Sequence, residues 1–219
     1  MSFELIVFDW DGTLMDSEAR IVACLQAAFA DLDLPQPSRE SARDIIGLGL
    51  EEAMMQLWPA ADASLCRALA VQYRRHFLVT DQTQSILFPS ARETLDWIVA
   101  QGYRLAVATG KSRRGLDQSL AETGLEGFFH ATRCADEPFS KPHPQMLFEL
   151  MEELGARPAA TLMIGDTEYD MQMAHNAGAE ALAVSFGVHS PHRLLTHAPL
   201  ACLDSLAAIP DWLVRQGVP

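Results

Sequence analysis

The sequence has few cysteines, few lysines and no long apolar run. Its four cysteines are spread over 219 residues without a C-x-x-C pair, which argues against a disulfide framework or a thiolate zinc site. No segment reaches the roughly 18 apolar residues of a membrane-spanning helix. Residues 1–9 contain no basic region and no apolar stretch of signal-peptide length. We therefore expect a cytoplasmic protein with free thiols and no membrane partner.

Positive charge is also scarce. Sixteen Lys and Arg residues stand against 29 Asp and Glu residues, which gives a formal net charge of −13 with histidine neutral. Such a chain repels duplex nucleic acid and anionic membranes on average, so we predict no nucleic-acid partner. A small anionic substrate stays compatible with this charge, because a bound metal ion reverses the local sign. The composition, 49% hydrophobic and 21% charged, is typical of a globular protein with a buried core.

Short, nearly continuous apolar runs recur along the chain and end at polar residues. They cover residues 4–8, 104–108, 161–164 and 180–184. Such runs are typical of strands that are buried on both faces of a parallel sheet. Helical patterns lie between them, which predicts an α/β fold with helices on both faces of the sheet. Two serines mark predicted helix starts: Ser90, in a capping box with Glu93, and Ser112.

Residues 16–85 break this alternation. They show helical patterns and no convincing strand; the patterns cover residues 17–31, 38–46, 50–58 and 62–79. Prolines and glycines separate several of these patterns. We predict a small all-helical cap domain at 16–85, inserted after the first strand of a core domain made of residues 1–15 and 86–219.

Four polar motifs follow the apolar runs or open loops, where parallel sheets bind ligands. They are D-x-D-G-T at 9–13, T-G-K at 109–111, K-P at 141–142 and G-D-x-x-x-D at 165–170. In this order they resemble the phosphatases of the haloacid dehalogenase superfamily, and the resemblance covers essentially the whole chain. Within that superfamily the chain is similar to phosphoglycolate-phosphatase-like members with an inserted helical cap. The resemblance implies a Rossmann-like core.

The residue types themselves suit phosphate chemistry. A carboxylate and a phosphate repel each other, so a divalent cation must cancel the repulsion before a carboxylate attacks phosphorus. Asp9 and Asp166 offer the hard oxygen ligands that Mg²⁺ prefers. Alternate residues of a strand point to the same side, so Asp9 and Asp11 can face one site. Aspartate is also an established nucleophile that forms aspartyl-phosphate.

The resemblance implies a role for each residue of the first motif. Asp9 would attack phosphorus, and Asp11 would protonate the leaving oxygen and then activate the hydrolytic water. The Asp9 side chain, the Asp11 backbone carbonyl and the Asp166 side chain would bind Mg²⁺. Each acid taken alone is also compatible with a turn or a helix cap, and only the order of the motifs favours a site.

The resemblance assigns the remaining motifs to the phosphoryl group and the metal. Thr109 and the neighbouring Gly110 would bind the phosphoryl group, and Lys141 would neutralise its charge. Asp170 would ligate the metal or orient its waters. Lys111 is compatible both with a substrate contact and with a solvated loop. His189 is expected at the surface.

Several reactions stay open. The leading prediction is a Mg²⁺-dependent phosphatase that acts on a small phosphorylated metabolite, either a phosphoglycolate-like ester or a sugar phosphate. A phosphomutase is disfavoured because Thr13 stands where β-phosphoglucomutase-like members typically have valine, and a phosphonatase because residues 16–85 contain no lysine. A pyrophosphatase, a nucleotidase and a non-catalytic regulator that binds a phosphate ligand are the alternatives. The cap segment 47–49 is the predicted substrate contact, and neither the substrate nor the oligomeric state follows from the sequence.

Overall fold

The computed structural model describes residues 3–137 and 139–217. The strands in chain order are β1 (Leu5–Phe8), β2 (Met15–Asp16), β3 (Ile86–Leu87), β4 (Arg104–Thr109), β5 (Ala131–Cys134), β6 (Thr161–Gly165), β7 (Glu180–Val184) and β8 (Cys202–Leu203). Six of them form one parallel sheet in the order β5-β4-β1-β6-β7-β8. The parallel sheet that the apolar runs predict is therefore confirmed.

The helices lie between the strands and in the inserted segment. They are α1 (Glu18–Ala30), α2 (Arg39–Asp44), α3 (Leu50–Leu57), α4 (Ala63–Arg75), α5 (Ala91–Ala100), α6 (Arg113–Thr123), α7 (Gln145–Leu154), α8 (Glu168–Ala177), α9 (Pro191–Leu195) and α10 (Ile209–Gly217). A π-helical turn at His76–Thr80 extends α4, and 3₁₀ turns occupy Pro158–Ala160 and Leu206–Ala208. No helix in these ranges combines the length and the apolar character that crossing a membrane requires.

Helices cover both faces of the sheet because alternate residues of each strand point in opposite directions. On β1, Ile6 and Phe8 pack into the cluster that contains residues of α5, α6 and α10. Leu5 and Val7 pack into the opposite cluster, with residues of α7 and α8. All four side chains are fully buried, which explains the continuous apolar run of this strand.

The inserted helices form a cluster of their own above the sheet. Buried side chains of α1, α3 and α4 meet there, among them Leu25, Phe29, Met54 and Leu69. The chain enters and leaves this segment side by side, because β2 pairs antiparallel with β3. The predicted helices of the segment are confirmed with ends shifted by a few residues, and its action as a separate cap domain at 16–85 stays a prediction.

The two predicted helix starts differ in outcome. Ser112 adopts an extended conformation, and its hydroxyl accepts the Gly115 amide hydrogen at 3.2 Å, as predicted. The predicted capping box at Ser90 is wrong: α5 begins at Ala91, but Ser90 is left-handed, with φ 62°, and makes no side-chain cap bond. A capping hydroxyl normally belongs to a residue in the β region, and the left-handed backbone directs the Ser90 hydroxyl elsewhere.

Candidate active site

Three neighbouring strands bring the polar motifs to one edge of the sheet. Asp9 follows β1, Thr109 ends β4 and Asp166 follows β6. Strand β1 lies between β4 and β6, and all three run parallel. Ligands bind parallel sheets at this carboxyl edge. The structure therefore brings residues that are far apart in sequence into one site.

A buried carboxylate cluster lies at this edge. Oxygen atoms of Asp9, Asp166 and Asp170 lie within 4.8 Å of one another, and the three residues are at most 1% exposed. The Asp9 Oδ2 atom is buried without a hydrogen-bond partner. A buried carboxylate oxygen without a partner is costly, and a divalent cation would satisfy it. The donor set of hard oxygens thus fits Mg²⁺.

Lys141 compensates part of this negative charge. Its Nζ atom lies 2.8 Å from Asp9 Oδ1 and 2.6 Å from Asp170 Oδ1, and its side chain is fully buried. Burial disfavours the ammonium, but Asp170 and Asp9 outweigh that effect and raise the pKa of Lys141 to about 12. Lys141 is therefore a permanent cation beneath the reacting groups. The loop before α7 supplies it, as the K-P motif predicts.

The single positive charge of Lys141 does not neutralise the three carboxylates of the cluster. Burial raises the pKa of Asp9 well above its usual range, and Asp170 and Asp166 raise it further, although Lys141 opposes the shift. Burial and the Asp170 charge likewise raise the pKa of Asp166 to about 7. A cation at the unpartnered Asp9 oxygen would stabilise the anionic form of both groups.

Two hydrogen bonds fix the Asp166 carboxylate. The Thr13 hydroxyl donates to Oδ1 at 2.8 Å, and the Val188 amide donates to Oδ2 at 2.8 Å. A Cβ atom on Gly12 or on Gly187 would collide with this carboxylate. Glycine at both positions therefore permits the backbone to close around Asp166, and Gly12 also has φ +85°, a conformation that favours glycine.

Asp170 combines the two interpretations that the sequence left open. Its Oδ2 atom accepts hydrogen bonds from the Thr167 amide at 3.0 Å and the Thr167 hydroxyl at 2.6 Å, in a capping box at the start of α8. Its Oδ1 atom faces Lys141. The helix-cap interpretation is confirmed, and the same residue belongs to the carboxylate cluster. Direct contact between Asp170 and a metal stays a prediction.

Asp11 faces the inserted helices. Its Oδ1 atom accepts the Ser17 hydroxyl at 2.6 Å, and Lys111 Nζ lies 2.9 Å and 3.0 Å from its two oxygens. The Lys111 ammonium also lies 4.4 Å from the centre of the Phe77 ring, in cation–π contact. The side chain of Lys111 is 7% exposed, so its interpretation as a solvated loop lysine is wrong. Because Lys111 lies this close to Asp11, we include it in the candidate site.

The end of β4 meets the predicted substrate loop. The Thr109 hydroxyl accepts the Lys111 amide hydrogen at 3.2 Å. A Cβ atom on Gly110 would lie 2.5 Å from the Leu48 carbonyl oxygen and 2.7 Å from that of Gly47, so only glycine fits there. The Gly49 amide donates to the Ser140 hydroxyl at 2.6 Å, next to Lys141. The segment 47–49 therefore contacts both motifs that are predicted to bind phosphate.

A cavity of about 340 Å³ separates the sheet edge from the inserted helices. Its floor contains Asp9, Asp11, Thr109, Gly110 and Lys111. Its wall is formed by residues of the inserted segment and by the core residues Ser112, Gly115, Ala135 and Asp136. Asp9 belongs both to this floor and to the buried carboxylate cluster. It is therefore the residue at which the cavity and the candidate metal site meet.

Sequence reasoning missed a polar contact between the inserted helices and the core. His189 is 4% exposed and not at the surface: its Nδ1 atom accepts the Glu168 amide hydrogen, and Nε2 lies 3.2 Å from the Asp44 carbonyl oxygen. Arg193 pairs with both the Asp44 and the Glu168 carboxylates. No local pattern reveals these partners, because α2 and α9 meet only in the folded chain.

Known proteins are similar to this chain in sequence over most of its length. The sequence model of the haloacid dehalogenase-like hydrolases matches residues 6–184. A probable phosphatase, IndB, from Dickeya dadantii is 37% identical over 94% of this chain and 91% of its own. A phosphoglycolate phosphatase from Pasteurella multocida is 29% identical over 94% and 96%.

Solved structures give the same result. A crystal structure described as a predicted phosphoglycolate phosphatase from Haemophilus somnus superposes with a TM-score of 0.87 at 27% identity, over 97% of this chain and 98% of that one. The superposition includes the sheet and the inserted helices, since it covers nearly the whole length of both chains. The chain belongs to the haloacid dehalogenase-like hydrolase family, and it is a phosphatase of that family.

Proposed function

We propose that this phosphatase hydrolyses a small organic phosphate monoester in two steps, through an aspartyl-phosphate on Asp9, and that it depends on Mg²⁺. The observation that carries the proposal is the Asp9 Oδ2 atom, which is buried without a partner where the cavity meets the carboxylate cluster. The relatives named phosphoglycolate phosphatase support a small phosphorylated metabolite as the substrate. A cytoplasmic location stays a prediction of the sequence.

Asp9 and Asp166 would hold Mg²⁺ through their side chains, and Asp11 through its backbone carbonyl. The ion would supply positive charge that lets an anionic nucleophile approach an anionic phosphate. The contacts of Asp166 with Thr13 and Val188 keep its carboxylate oriented towards Asp9. Asp170 orients the Lys141 ammonium, which it contacts at 2.6 Å.

In the first step, an oxygen of Asp9 forms a bond to phosphorus while the bond to the leaving oxygen breaks. Asp11 donates a proton to that oxygen, so the alcohol leaves neutral. Thr109, the Gly110 amide and Lys141 stabilise the charge on the transferring phosphoryl group. The ion pair with Lys111 and the hydrogen bond from the Ser17 hydroxyl hold the Asp11 carboxylate at the cavity floor.

In the second step, Asp11 takes a proton from a water that attacks phosphorus. The bond between phosphorus and the Asp9 oxygen breaks, inorganic phosphate leaves, and both aspartates return to their starting states. The two aspartates thus have different tasks although both are carboxylates of one motif.

Phosphate release from p-nitrophenyl phosphate tests the proposal. We expect turnover with Mg²⁺, loss of activity with EDTA, and recovery when Mg²⁺ is added again. Full turnover in metal-free protein would refute the Mg²⁺ dependence. A complete lack of turnover with every phosphate ester would favour the non-catalytic regulator.

Substitution of the two aspartates separates their roles. Asp9→Ala removes the nucleophile, so no burst of nitrophenolate should appear. Asp11→Asn keeps the nucleophile, and nitrophenolate leaves with little need for a proton, so rapid mixing should show a burst followed by slow turnover. General acid–base assistance is worth about 10²–10⁴-fold, which sets the expected loss in steady-state rate. Asp117→Asn, on an exposed helix face, is the control; an equal burst from Asp9→Ala would overturn the assignment.

A further inference from the structure

One part of the cavity wall is apolar. Side chains from α1, from the 47–49 segment and from the π-helical turn form it; they are Ile21, Leu25, Leu48, Phe77 and Leu78. Tyr73 adds an aromatic ring, stacked on Phe77 with a centroid distance of 5.7 Å. A leaving group that contacts these side chains buries apolar surface, and that burial favours binding.

The charges that face the cavity disfavour a second anion. Within the described part of the chain, Arg74 and Lys111 are the cationic side chains of the lining, and Lys111 is already paired with Asp11. Glu51, Glu52 and Asp136 also line the cavity. Outside the floor, three carboxylates thus stand against one guanidinium. An anionic leaving group would enter a region of net negative charge.

The cavity also has more room than a two-carbon leaving group needs. Its volume of about 340 Å³ lies within the range of about 300–1,000 Å³ that holds drug-sized ligands. The glycolate of phosphoglycolate is a short anion that would leave the apolar wall uncovered.

We propose that the substrate of this phosphatase has a neutral, largely apolar leaving group, of the size of an aromatic ring with a short linker, that packs against Leu48, Phe77 and Leu78. The inference rests on the proposed phosphatase site, because it places the phosphoryl group at Asp9 and the remainder of the substrate against the cap wall. It names a substrate class that differs from phosphoglycolate.

Binding of non-hydrolysable phosphonates tests this inference without requiring turnover. Isothermal titration of the Mg²⁺-loaded protein compares 3-phosphonopropionate, 2-aminoethylphosphonate, propylphosphonate and 3-phenylpropylphosphonate. The first three differ in one terminal group, which is a carboxylate, an ammonium or a methyl. We expect the phenyl compound to bind at least about tenfold more tightly than the propyl compound, and the carboxylate to bind most weakly. Tightest binding of the carboxylate or of the ammonium would overturn the proposal.

A substitution in the wall checks the location. Leu78 is partly exposed and lies outside the catalytic groups, so Leu78→Arg should fold; Leu78→Met keeps volume and polarity as the matched control. Leu78→Arg should weaken the phenyl compound by about tenfold and strengthen 3-phosphonopropionate by about two- to fivefold, whereas Leu78→Met should change neither by more than twofold. Equal effects of both substitutions would contradict the assigned wall.

Activity measurements distinguish a failure of this inference from a failure of the proposed function on which it rests. If the phosphonate order holds but p-nitrophenyl phosphate is not hydrolysed, the substrate class stands and the catalytic mechanism fails. If p-nitrophenyl phosphate is hydrolysed but 2-phosphoglycolate has a higher kcat/KM than 2-phenylethyl phosphate, the mechanism stands and the proposed substrate class is wrong.

Discussion

The floor and the wall of the cavity use different interactions. Asp9 on the floor, and Asp166 and Lys141 in the buried cluster that adjoins it, are at most 1% exposed and have short polar contacts from several strands and loops. The wall contains a set of apolar side chains on the inserted helices, which connect to the core through β2 and β3, with a few charged residues beside them. Buried charges tolerate little displacement, whereas apolar contacts tolerate exchange at similar volume. The difference is what we expect if, as proposed, the floor carries the reaction and the wall selects the substrate.

The two lysines of the chain test this contrast most strongly. Lys141→Met leaves Asp9 and Asp170 without their cation, so kcat should fall by about 10²–10³-fold or more and the free energy of unfolding by about 3–5 kcal/mol. Lys111→Met removes a partner of Asp11 only, and its loss in kcat and in stability should be clearly smaller. Steady-state kinetics and urea unfolding measure both, and equal losses would contradict the distinction between the two lysines.

A methyl group beside Asp166 should have an intermediate effect. Gly187→Ala places Cβ against the Asp166 carboxylate, so Mg²⁺ affinity should fall by about 10–100-fold. Gly127→Ala is the control, because its Cβ would meet no atom within 4 Å. Thermal unfolding at pH 8 with increasing Mg²⁺ measures the affinity. Unchanged Mg²⁺ affinity in Gly187→Ala would remove Asp166 from the metal site.

The stabilisation of the protein by Mg²⁺ should depend on pH. Because folding raises the pKa of Asp166 from 3.8 to about 7, its contribution to the stability of the metal-free protein decreases as the pH rises through that interval. Mg²⁺ binds the deprotonated carboxylate, so its stabilising effect should be larger at pH 8 than at pH 5. A stabilisation by Mg²⁺ that is larger at pH 5 would contradict this.

The contact between α2 and the core should show the smallest effect. Asp44→Ala removes the cap-side carboxylate of the Arg193 pair, which favours the position of the inserted helices over the site. Such partly exposed pairs are worth up to about 1 kcal/mol, so KM should rise by about two- to fivefold with little change in kcat. Asp31→Ala, which removes a pair with His76 inside the inserted segment, is the control and should leave KM unchanged.

Much of the fold follows from local patterns. The strand β1 can be predicted because both its faces are buried, and α1, α3 and α4 can be predicted because each carries an amphipathic stripe. The capping box at Ser90 failed for a local reason, the left-handed backbone. The spacing of Ser90 and Glu93 shows the residue types that a capping box needs. It does not show the backbone angle that directs the serine hydroxyl.

Only part of the candidate site could be predicted from the sequence. Asp9, Thr109 and Asp166 meet because each follows or ends a strand of one parallel sheet, and strand ends are visible in the sequence. The Val188 amide, the Lys111 pairing and the buried position of His189 depend on which loops meet in space. Backbone donors carry no signal in residue type, so these contacts required the structure.

The pairing of β2 with β3 has a consequence for how the chain folds. Strands β1 and β4 are neighbours in the sheet, with Leu5 opposite Arg104, although all the inserted helices lie between them in sequence. The entropy lost on closing a loop grows with the logarithm of its length, by about 0.6 kcal/mol per doubling. Once Met15 and Leu87 pair, the helical segment between them no longer adds to the length of the loop that β1 and β4 must close. The entropy lost on pairing β1 with β4 is then that of a shorter loop. Folding of the inserted helices on their own local contacts would then accelerate formation of the central strand pair.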